Sequence, residues 1–159
     1  MNIDWKTEWL CANRISLNVC KTEFIIFRPP NMKLENRIVL KLNHTKLYES
    51  RKIKYLGLLI DDRLTWKYHI NELCKNLNRT KSIFFKMCHF CPQSVLRWLY
   101  FSIFNSHVTC GVSVWGNANQ IYADKLELLT KKAIRAITLA HFKTHSKPII
   151  YDLQIAFIW

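Results

Sequence analysis

The chain has 159 residues, of which half are hydrophobic and 13% are aromatic, and this composition excludes wholesale disorder. Its 24 Lys and Arg residues outnumber its 11 Asp and Glu residues, giving a net charge of +13 that attracts polyanions, of which nucleic acid is the usual one. No apolar run reaches the ~18 residues that a membrane span needs, so we expect no membrane partner.

The first elements along the chain are a short helix and a strand. Residues Ile3 to Ala12 predict an amphipathic helix that Asp4 caps. Residues Thr22 to Phe27 are dense in β-formers and predict a buried strand, which Pro29 stops.

More strand signals follow. The segments 34–42 and 45–48 predict a hairpin, although the turn between them lacks its favoured glycine. Residues Ile53 to Ile60 predict one further strand, and Gly57 marks a point where a backbone or ligand comes close to it.

From Trp66 onward the hydrophobic period becomes helical. One face of a long helix is predicted by apolar residues that recur at three- and four-residue spacings: Ile70, Leu73, Leu77, Phe84 and Met87. This helix ends at Cys91, the next begins at Pro92 and continues as far as Val114, and a third spans about 120–140. A tail begins at Pro148.

These elements predict an α+β fold in which a small antiparallel sheet leads into a helical bundle. We place the divisions at 1–62 for the sheet part, 63–147 for the helical part and 148–159 for the tail. Acidic residues become scarce after the first division: residues 1–62 carry 11 basic and 7 acidic residues, whereas 63–159 carry 13 and 4. We therefore expect the helical part to meet the polyanion.

The long helix carries a polar and basic stripe opposite its apolar face. Its members follow one another at three- and four-residue steps over about 30 Å of helix: Lys67, Asn71, Lys75, Asn78 or Arg79, Ser82 and Lys86. The alternative is an ordinary solvated face, but such a face mixes both signs and here only Glu72 is acidic. Lysines at this spacing reach successive phosphates without reading base sequence.

A single lysine also suits phosphate chemistry. Lys21 follows a predicted turn and precedes a strand, where a lysine meets a phosphate or gives a proton to a leaving pyrophosphate. The residue alone is equally consistent with an ordinary surface lysine.

Two groups of residues raise the question of a metal. The pairs Cys88/Cys91 and His107/Cys110 have a spacing that zinc tolerates, but both lie in apolar helical patterns, where free cysteines are common core residues. The adjacent carboxylates Asp61 and Asp62 suit magnesium or, in our preferred interpretation, the N-terminus of the following helix. We predict no metal and no cofactor in this chain. Six cysteines dispersed in this way indicate a reducing compartment, so we predict an intracellular protein of cytoplasm or nucleus.

Several spaced motifs resemble the reverse transcriptases of non-LTR, jockey-type (LINE-like) retrotransposons. Those enzymes share a pattern similar to Trp-x3-Asn-x-Leu-x-Leu-Asn-x2-Lys-Thr before a strand, and here it is matched by Trp9, Asn13, Ile15, Leu17, Asn18, Lys21 and Thr22. Later motifs resemble the family in the same order: Lys54-Tyr55-Leu56-Gly57, then Asp62-x-Leu64-x-Trp66-x2-His69-Ile70, then Trp115-Gly116 with Cys110 in place of an aromatic residue, and finally Leu126, Leu129, Lys132, Ala133, Arg135 and Ile137.

The resemblance implies that 1–62 is the end of the polymerase palm and 63–147 the thumb. Lys21 then corresponds to the motif D lysine near the nucleotide phosphates, and Lys54 lies in the strand that grips the primer end. Trp66 and His69 are then structural. The residues expected to contact the template-primer backbone, RNA or DNA, are Lys54, Lys67, Asn71, Lys75, Arg79, Lys86, Lys132 and Arg135.

The chain also departs from the family. The catalytic aromatic-x-Asp-Asp strand, expected upstream of Met1, is absent, so we expect a retrotransposon fragment without polymerase activity of its own. The resemblance implies Mg²⁺ for the intact parent enzyme, and the missing palm and fingers as partners in the full-length protein. Two alternatives stay open: a non-enzymatic nucleic-acid-binding helical module, and a non-functional remnant whose exposed strand edges favour aggregation.

Overall fold

A computed structural model describes residues 5–29, 31–32, 38–42, 45–141 and 144–153. The chain divides into two units, Met1–Leu64 and Thr65–Trp159. Helices dominate the second unit and small sheets the first, so the predicted α+β class is confirmed. No helix of the described ranges is long and apolar enough to cross a membrane.

The first unit begins with α1 (Trp5–Ala12) and a 3₁₀ turn at Val19–Lys21. In the described part of this unit six short strands follow: β1 (Glu23–Phe24), β2 (Lys41–Leu42), β3 (Thr45–Lys46), β4 (Tyr48–Glu49), β5 (Lys52–Tyr55) and β6 (Leu58–Asp61). They form three two-stranded pairs, of which β2–β3 and β5–β6 are antiparallel and β1–β4 is parallel. The proposed cap Asp4 and the hairpin turn at 43–44 lie outside the described residues.

The single strand predicted over Ile53 to Ile60 is wrong. The segment is a hairpin, in which Ile53 pairs with Ile60 and Tyr55 with Leu58. Leu56 and Gly57 form its turn with φ values of 47° and 86°, the pair of positive values that a type I′ turn requires. Gly57 is therefore a turn glycine, with open space where its side chain would be, rather than a point of close approach.

The second unit contains one long helix, α2 (Lys67–Met87), and a second of similar length that packs against it. The helical segments within its described residues are α2, α3 (Gln93–Leu99), a π-helical segment (Tyr100–Asn105), α4 (Ser106–Thr109), α5 (Val112–Trp115), α6 (Gln120–Thr138) and α7 (Ser146–Asp152). The helix predicted from Pro92 to Val114 is interrupted at Gly111, whose φ of 66° ends the α-helical path.

The core of this unit lies where α2, α6 and the segment after α3 meet. Ile70 and Leu77 of α2 are fully buried, as are Leu126 and Ile134 of α6. Tyr100 and Phe104 stack at 5.3 Å between ring centroids, and Phe84 lies against Phe104 at 6.2 Å. Burying these side chains stabilises each by about 1.5–3 kcal/mol, which fixes α2 against α6.

The described part of the tail predicted from Pro148 is helical. Pro148 lies in the first turn of α7, where a proline is tolerated because its missing N–H has no helical partner. Leu153, which follows the helix, is buried, and its carbonyl oxygen accepts a hydrogen bond from Arg97 Nε at 2.9 Å. Residues 154–159 lie outside the described residues.

Candidate nucleic-acid interface

The long helix α2 presents one buried face and one basic face. Its buried residues recur at the predicted apolar spacing: His69, Ile70, Leu73, Leu77 and Phe84. On the other side Lys67, Lys75, Arg79 and Lys86 are exposed and Asn71 is half-buried. The predicted stripe thus lies on solvent, because residues three and four apart share one side of a helix.

Local hydrogen bonds show which of the two alternatives, Asn78 or Arg79, belongs to the basic stripe. The Asn78 side chain donates to the carbonyl oxygen of Cys74 at 2.9 Å and accepts from Lys81 Nζ at 3.2 Å. Its amide is therefore occupied within the helix. Arg79 beside it is exposed, so the guanidinium is the group that continues the basic face.

Few carboxylates oppose these cations. Glu127 pairs with Lys131 one turn further along α6, and Asp124 accepts a hydrogen bond from Gln120 at 2.9 Å. Within the described residues of this unit, no carboxylate lies at ion-pairing distance from Lys67, Lys75, Arg79, Lys86 or Lys132. These charges are available to an anionic partner.

A groove of about 740 Å³ lies between the C-terminal parts of α2 and α6. Four cations line it, Lys81 and Lys86 from α2 and Lys132 and Arg135 from α6, together with apolar side chains that include Phe85 and Leu139. We name this the basic groove. Arg135 Nε donates to the carbonyl oxygen of Thr144 at 3.0 Å, which fixes the guanidinium at the groove wall.

The structure brings together several of the predicted residues, including Ser82 of the stripe, and adds others that the sequence did not indicate, among them Lys81 and Phe85. Lys86, Lys132 and Arg135 line the basic groove, whereas Lys67, Asn71, Lys75 and Arg79 lie along α2 outside its lining. Lys81 and Phe85 were missed because they flank the apolar face of α2. Only the packing of α6 beside that flank gives them a common cavity. A phenylalanine outside the apolar repeat is the one signal that the sequence offered.

The two remaining lysines belong to the other unit. Lys54 is exposed on β5, where it pairs with Leu59. Lys21 is exposed at the end of the 3₁₀ turn, and its backbone N–H donates to the side chain of Asn18 at 3.2 Å. Their predicted contacts with primer and nucleotide stay predictions.

The cysteine and histidine pairs do not assemble a metal site. Cys88 is buried and its Sγ donates to the carbonyl oxygen of Phe85 at 2.9 Å, while His107 Nδ1 lies 2.6 Å from the carbonyl oxygen of Ile103. Among the described residues, no three His, Cys, Asp or Glu side chains are placed to hold a metal ion together. All six cysteines are free thiols.

Asp62 of the carboxylate pair at 61–62 forms an ion pair within the first unit. Asp62 Oδ2 lies 3.3 Å from Arg28 Nε, and the same guanidinium contacts Glu49 at 2.8 Å. The residue that precedes α2 is Trp66, in a left-handed conformation with no side-chain cap. A carboxylate neutralised by Arg28 is poorly suited to Mg²⁺, so this pair does not fit the metal of a polymerase centre.

The shifted pKa values belong to groups in or near the core of the helical unit. Burial lowers the pKa of His69, and the Glu72 charge opposes that shift. Burial raises the pKa of Cys74, against a smaller effect of Lys125, and raises that of Tyr100 to about 12. None of these groups lines the basic groove, so the shifts indicate packing and not an acid–base site.

The comparisons with known proteins found one weak similarity, to a protein named as a polymerase. No protein-family model matches the chain, and no solved structure matches it. Over 156 residues, 96% of its length, the chain is 20% identical to a probable RNA-directed DNA polymerase from transposon X-element of Drosophila melanogaster. The chain spans 17% of the length of that relative.

Proposed function

We propose that this chain corresponds to the end of the palm and the thumb of a jockey-type, non-LTR retrotransposon reverse transcriptase, and that it holds template-primer by its phosphate backbone. The order of the motifs, from Trp9 through Lys54 to Arg135, and the similarity to a probable RNA-directed DNA polymerase support this assignment. Backbone contact positions a duplex without specifying its sequence, which suits a polymerase that must accept any template.

The observation that carries the proposal is the charge of the outward face of α2. Residues 65–159 contain 12 Lys and Arg residues against 4 Asp and Glu residues. Lys67, Lys75 and Arg79 lie on that face without a carboxylate partner among the described residues. A helix advances about 6 Å over four residues, so these cations are spread along the helix axis. This spacing suits successive phosphates of one nucleic-acid strand rather than a single phosphate.

The function proposed for the chain alone is binding, not nucleotide addition. Its 159 residues contain no aromatic-x-Asp-Asp sequence, and its adjacent carboxylates at 61–62 are engaged by Arg28 through Asp62. The purified chain, given RNA template, primer, nucleotides and Mg²⁺, should extend the primer no more than a heat-inactivated sample does. Extension above that control would refute the loss of activity.

The salt dependence of binding tests the proposed interface. The probe is a fluorescent DNA duplex, and its dissociation constant is measured by anisotropy over a series of salt concentrations. The test variant carries Lys67→Gln, Lys75→Gln and Arg79→Gln. Each phosphate contact contributes about 0.9 to the slope of log affinity against log salt, so the slope should fall by roughly 2.7.

A control with engaged cations makes this test specific. Lys131 pairs with Glu127, and Lys125 Nζ lies 5.5 Å above the ring of Tyr122. The double variant Lys125→Gln/Lys131→Gln removes two charges from α6 that lie outside the proposed interface. For each charge removed, it should change the slope of log affinity against log salt much less than the test variant does. An unchanged slope in the test variant, or an equal loss per charge in this control, would refute the proposal.

A further inference from the structure

The basic groove combines two chemistries that a duplex backbone does not need together. Its cations, Lys81, Lys86, Lys132 and Arg135, attract phosphate, whereas its other lining residues offer an apolar surface. Phe85 is 63% exposed and Leu139 61% exposed, although both are large hydrophobic residues. A surface of this kind, lined by both cations and an exposed aromatic ring, complements an anion that carries a flat apolar group.

From this arrangement, and resting on the proposed function, we infer that the basic groove binds single-stranded nucleic acid, with an unpaired base stacked on Phe85 and the adjoining phosphates held by Lys86, Lys132 and Arg135. Single-strand binders typically combine a cationic channel with aromatic side chains on which bases stack. In a duplex the bases stack on one another, so the exposed phenyl ring has no partner there.

The geometry around Phe85 favours a fixed stacking platform. The rings of Phe85 and His89 lie 6.1 Å apart between centroids with an interplanar angle of 90°. Such a contact orients the phenyl ring before a ligand arrives. The groove volume of about 740 Å³ is within the range of pockets that enclose small molecules, which is sufficient for a nucleotide.

The helices themselves favour the charges that line the groove. Lys86 lies in the last turn of α2 and Arg135 in the last turn of α6, where a cation is favoured by the helix dipole. Lys131, the neighbour of Lys132 in sequence, is paired with Glu127 and does not line the groove. Two adjacent lysines of one helix therefore have different expected roles.

The test compares two fluorescent single strands of equal length, oligo-dT and the same backbone without bases. Both carry the same phosphates, so a difference between them reports the bases alone. Phe85→Ala should weaken oligo-dT binding by roughly 5- to 150-fold, the equivalent of ~1–3 kcal/mol of stacking, and leave the abasic strand nearly unchanged. Phe85→Trp, which keeps an aromatic ring, should retain the preference for oligo-dT that Phe85→Ala loses.

Matched controls separate this effect from a general loss of structure. Phe90 is 88% exposed and does not line the groove, so Phe90→Ala should bind both strands as the original chain does. Lys132→Gln should lower the single-strand salt slope by about 0.7, and Lys131→Gln should not. Equal losses on both strands for Phe85→Ala, or equal behaviour of the Phe85 and Phe90 variants, would refute the inference.

The two proposals fail in distinguishable ways. If the chain binds duplex through Lys67, Lys75 and Arg79 but Phe85→Ala has no selective effect on oligo-dT, only the inference about the groove is wrong. If the chain binds neither duplex nor single strand, both are wrong.

Discussion

The stability of the helical unit should decrease as the pH falls below about 6.5, because of His69. Its side chain is 9% exposed and lies between two tryptophans, with ring centroids 6.4 Å from Trp66 and 6.0 Å from Trp115. Burial disfavours the charged imidazolium and lowers the pKa of His69 below the usual 6.5, while Glu72 opposes that shift.

The sign and size of the effect follow from this lowered pKa. The unfolded chain takes up a proton on His69 at a higher pH than the folded chain does. The stabilisation is therefore complete above about pH 6.5 and is lost as the pH falls through the folded pKa. One proton changes the free energy of unfolding by at most about 1.4 kcal/mol per pH unit, which sets the upper limit of the slope.

Urea unfolding at several pH values between about 7.5 and 5.5 measures this slope. His69→Phe keeps an aromatic ring between the two tryptophans but removes the titration, so its stability should vary less over that range. Glu72→Gln removes the opposing charge and should steepen the loss. Parallel curves for the original chain and His69→Phe, or a shallower curve for Glu72→Gln, would show that the burial of His69 is not the cause.

Substitutions at Ile134 and Gly116 test the packing of the helical unit, and one at Gly57 serves as a comparison. Ile134 is fully buried on α6. We therefore expect Ile134→Ala to lower the free energy of unfolding by about 2–5 kcal/mol and Ile134→Val by about 0.5–1.5 kcal/mol. Similar losses for the two variants would contradict this packing. A Cβ atom at Gly116 would lie 2.5 Å from the carbonyl oxygen of Val112, so Gly116→Ala should cost about 1–3 kcal/mol by thermal unfolding. Gly57→Asn meets no neighbouring atom and keeps a residue that tolerates positive φ, so a larger loss there than at Gly116 would contradict the geometry.

The elements that the sequence predicted well depend on local periodicity. The apolar residues from Ile70 to Phe84 repeat often enough to define α2, and their burial places Lys67, Lys75 and Arg79 on solvent. The β5–β6 hairpin was missed for a related reason. Its turn uses Leu56, which is 82% exposed and has a positive φ, at a position where Asn or Asp is the usual sequence signal. Without that signal, the residues of the two strands have the hydrophobic pattern of a single strand.

The basic groove could not be predicted because it depends on how two distant segments pack. Nothing in residues 81–86 alone indicates that Lys132 and Arg135 lie beside them, some 50 positions later in the chain. Taken separately, the α2 side and the α6 side of the groove each resemble an ordinary helix surface with mixed polar and apolar residues. Only the buried contact of α2 with α6 combines four cations and an exposed phenyl ring in one cavity.

The ends of α2 show that its charges are not arranged for the stability of the helix. Its first turn contains no acidic residue, Trp66 provides no side-chain cap, and Lys67 places a cation at the end where the helix dipole is positive. Lys86, in the last turn, is favoured by the same dipole. Residues that break a local rule in this way are expected where function requires them.

Reversing the charge at each end of α2 separates stability from binding. Lys67→Glu removes an unfavourable charge and adds a favourable one, so it should stabilise the helical unit by about 0.6–2 kcal/mol. Lys86→Glu should destabilise it by a similar amount, and thermal unfolding measures both. Both variants should nevertheless bind nucleic acid more weakly, Lys67→Glu on duplex and Lys86→Glu on single strand. If Lys67→Glu gained stability and retained full duplex affinity, the cation at the start of α2 would have no part in binding, and the basic face would have to begin further along the helix.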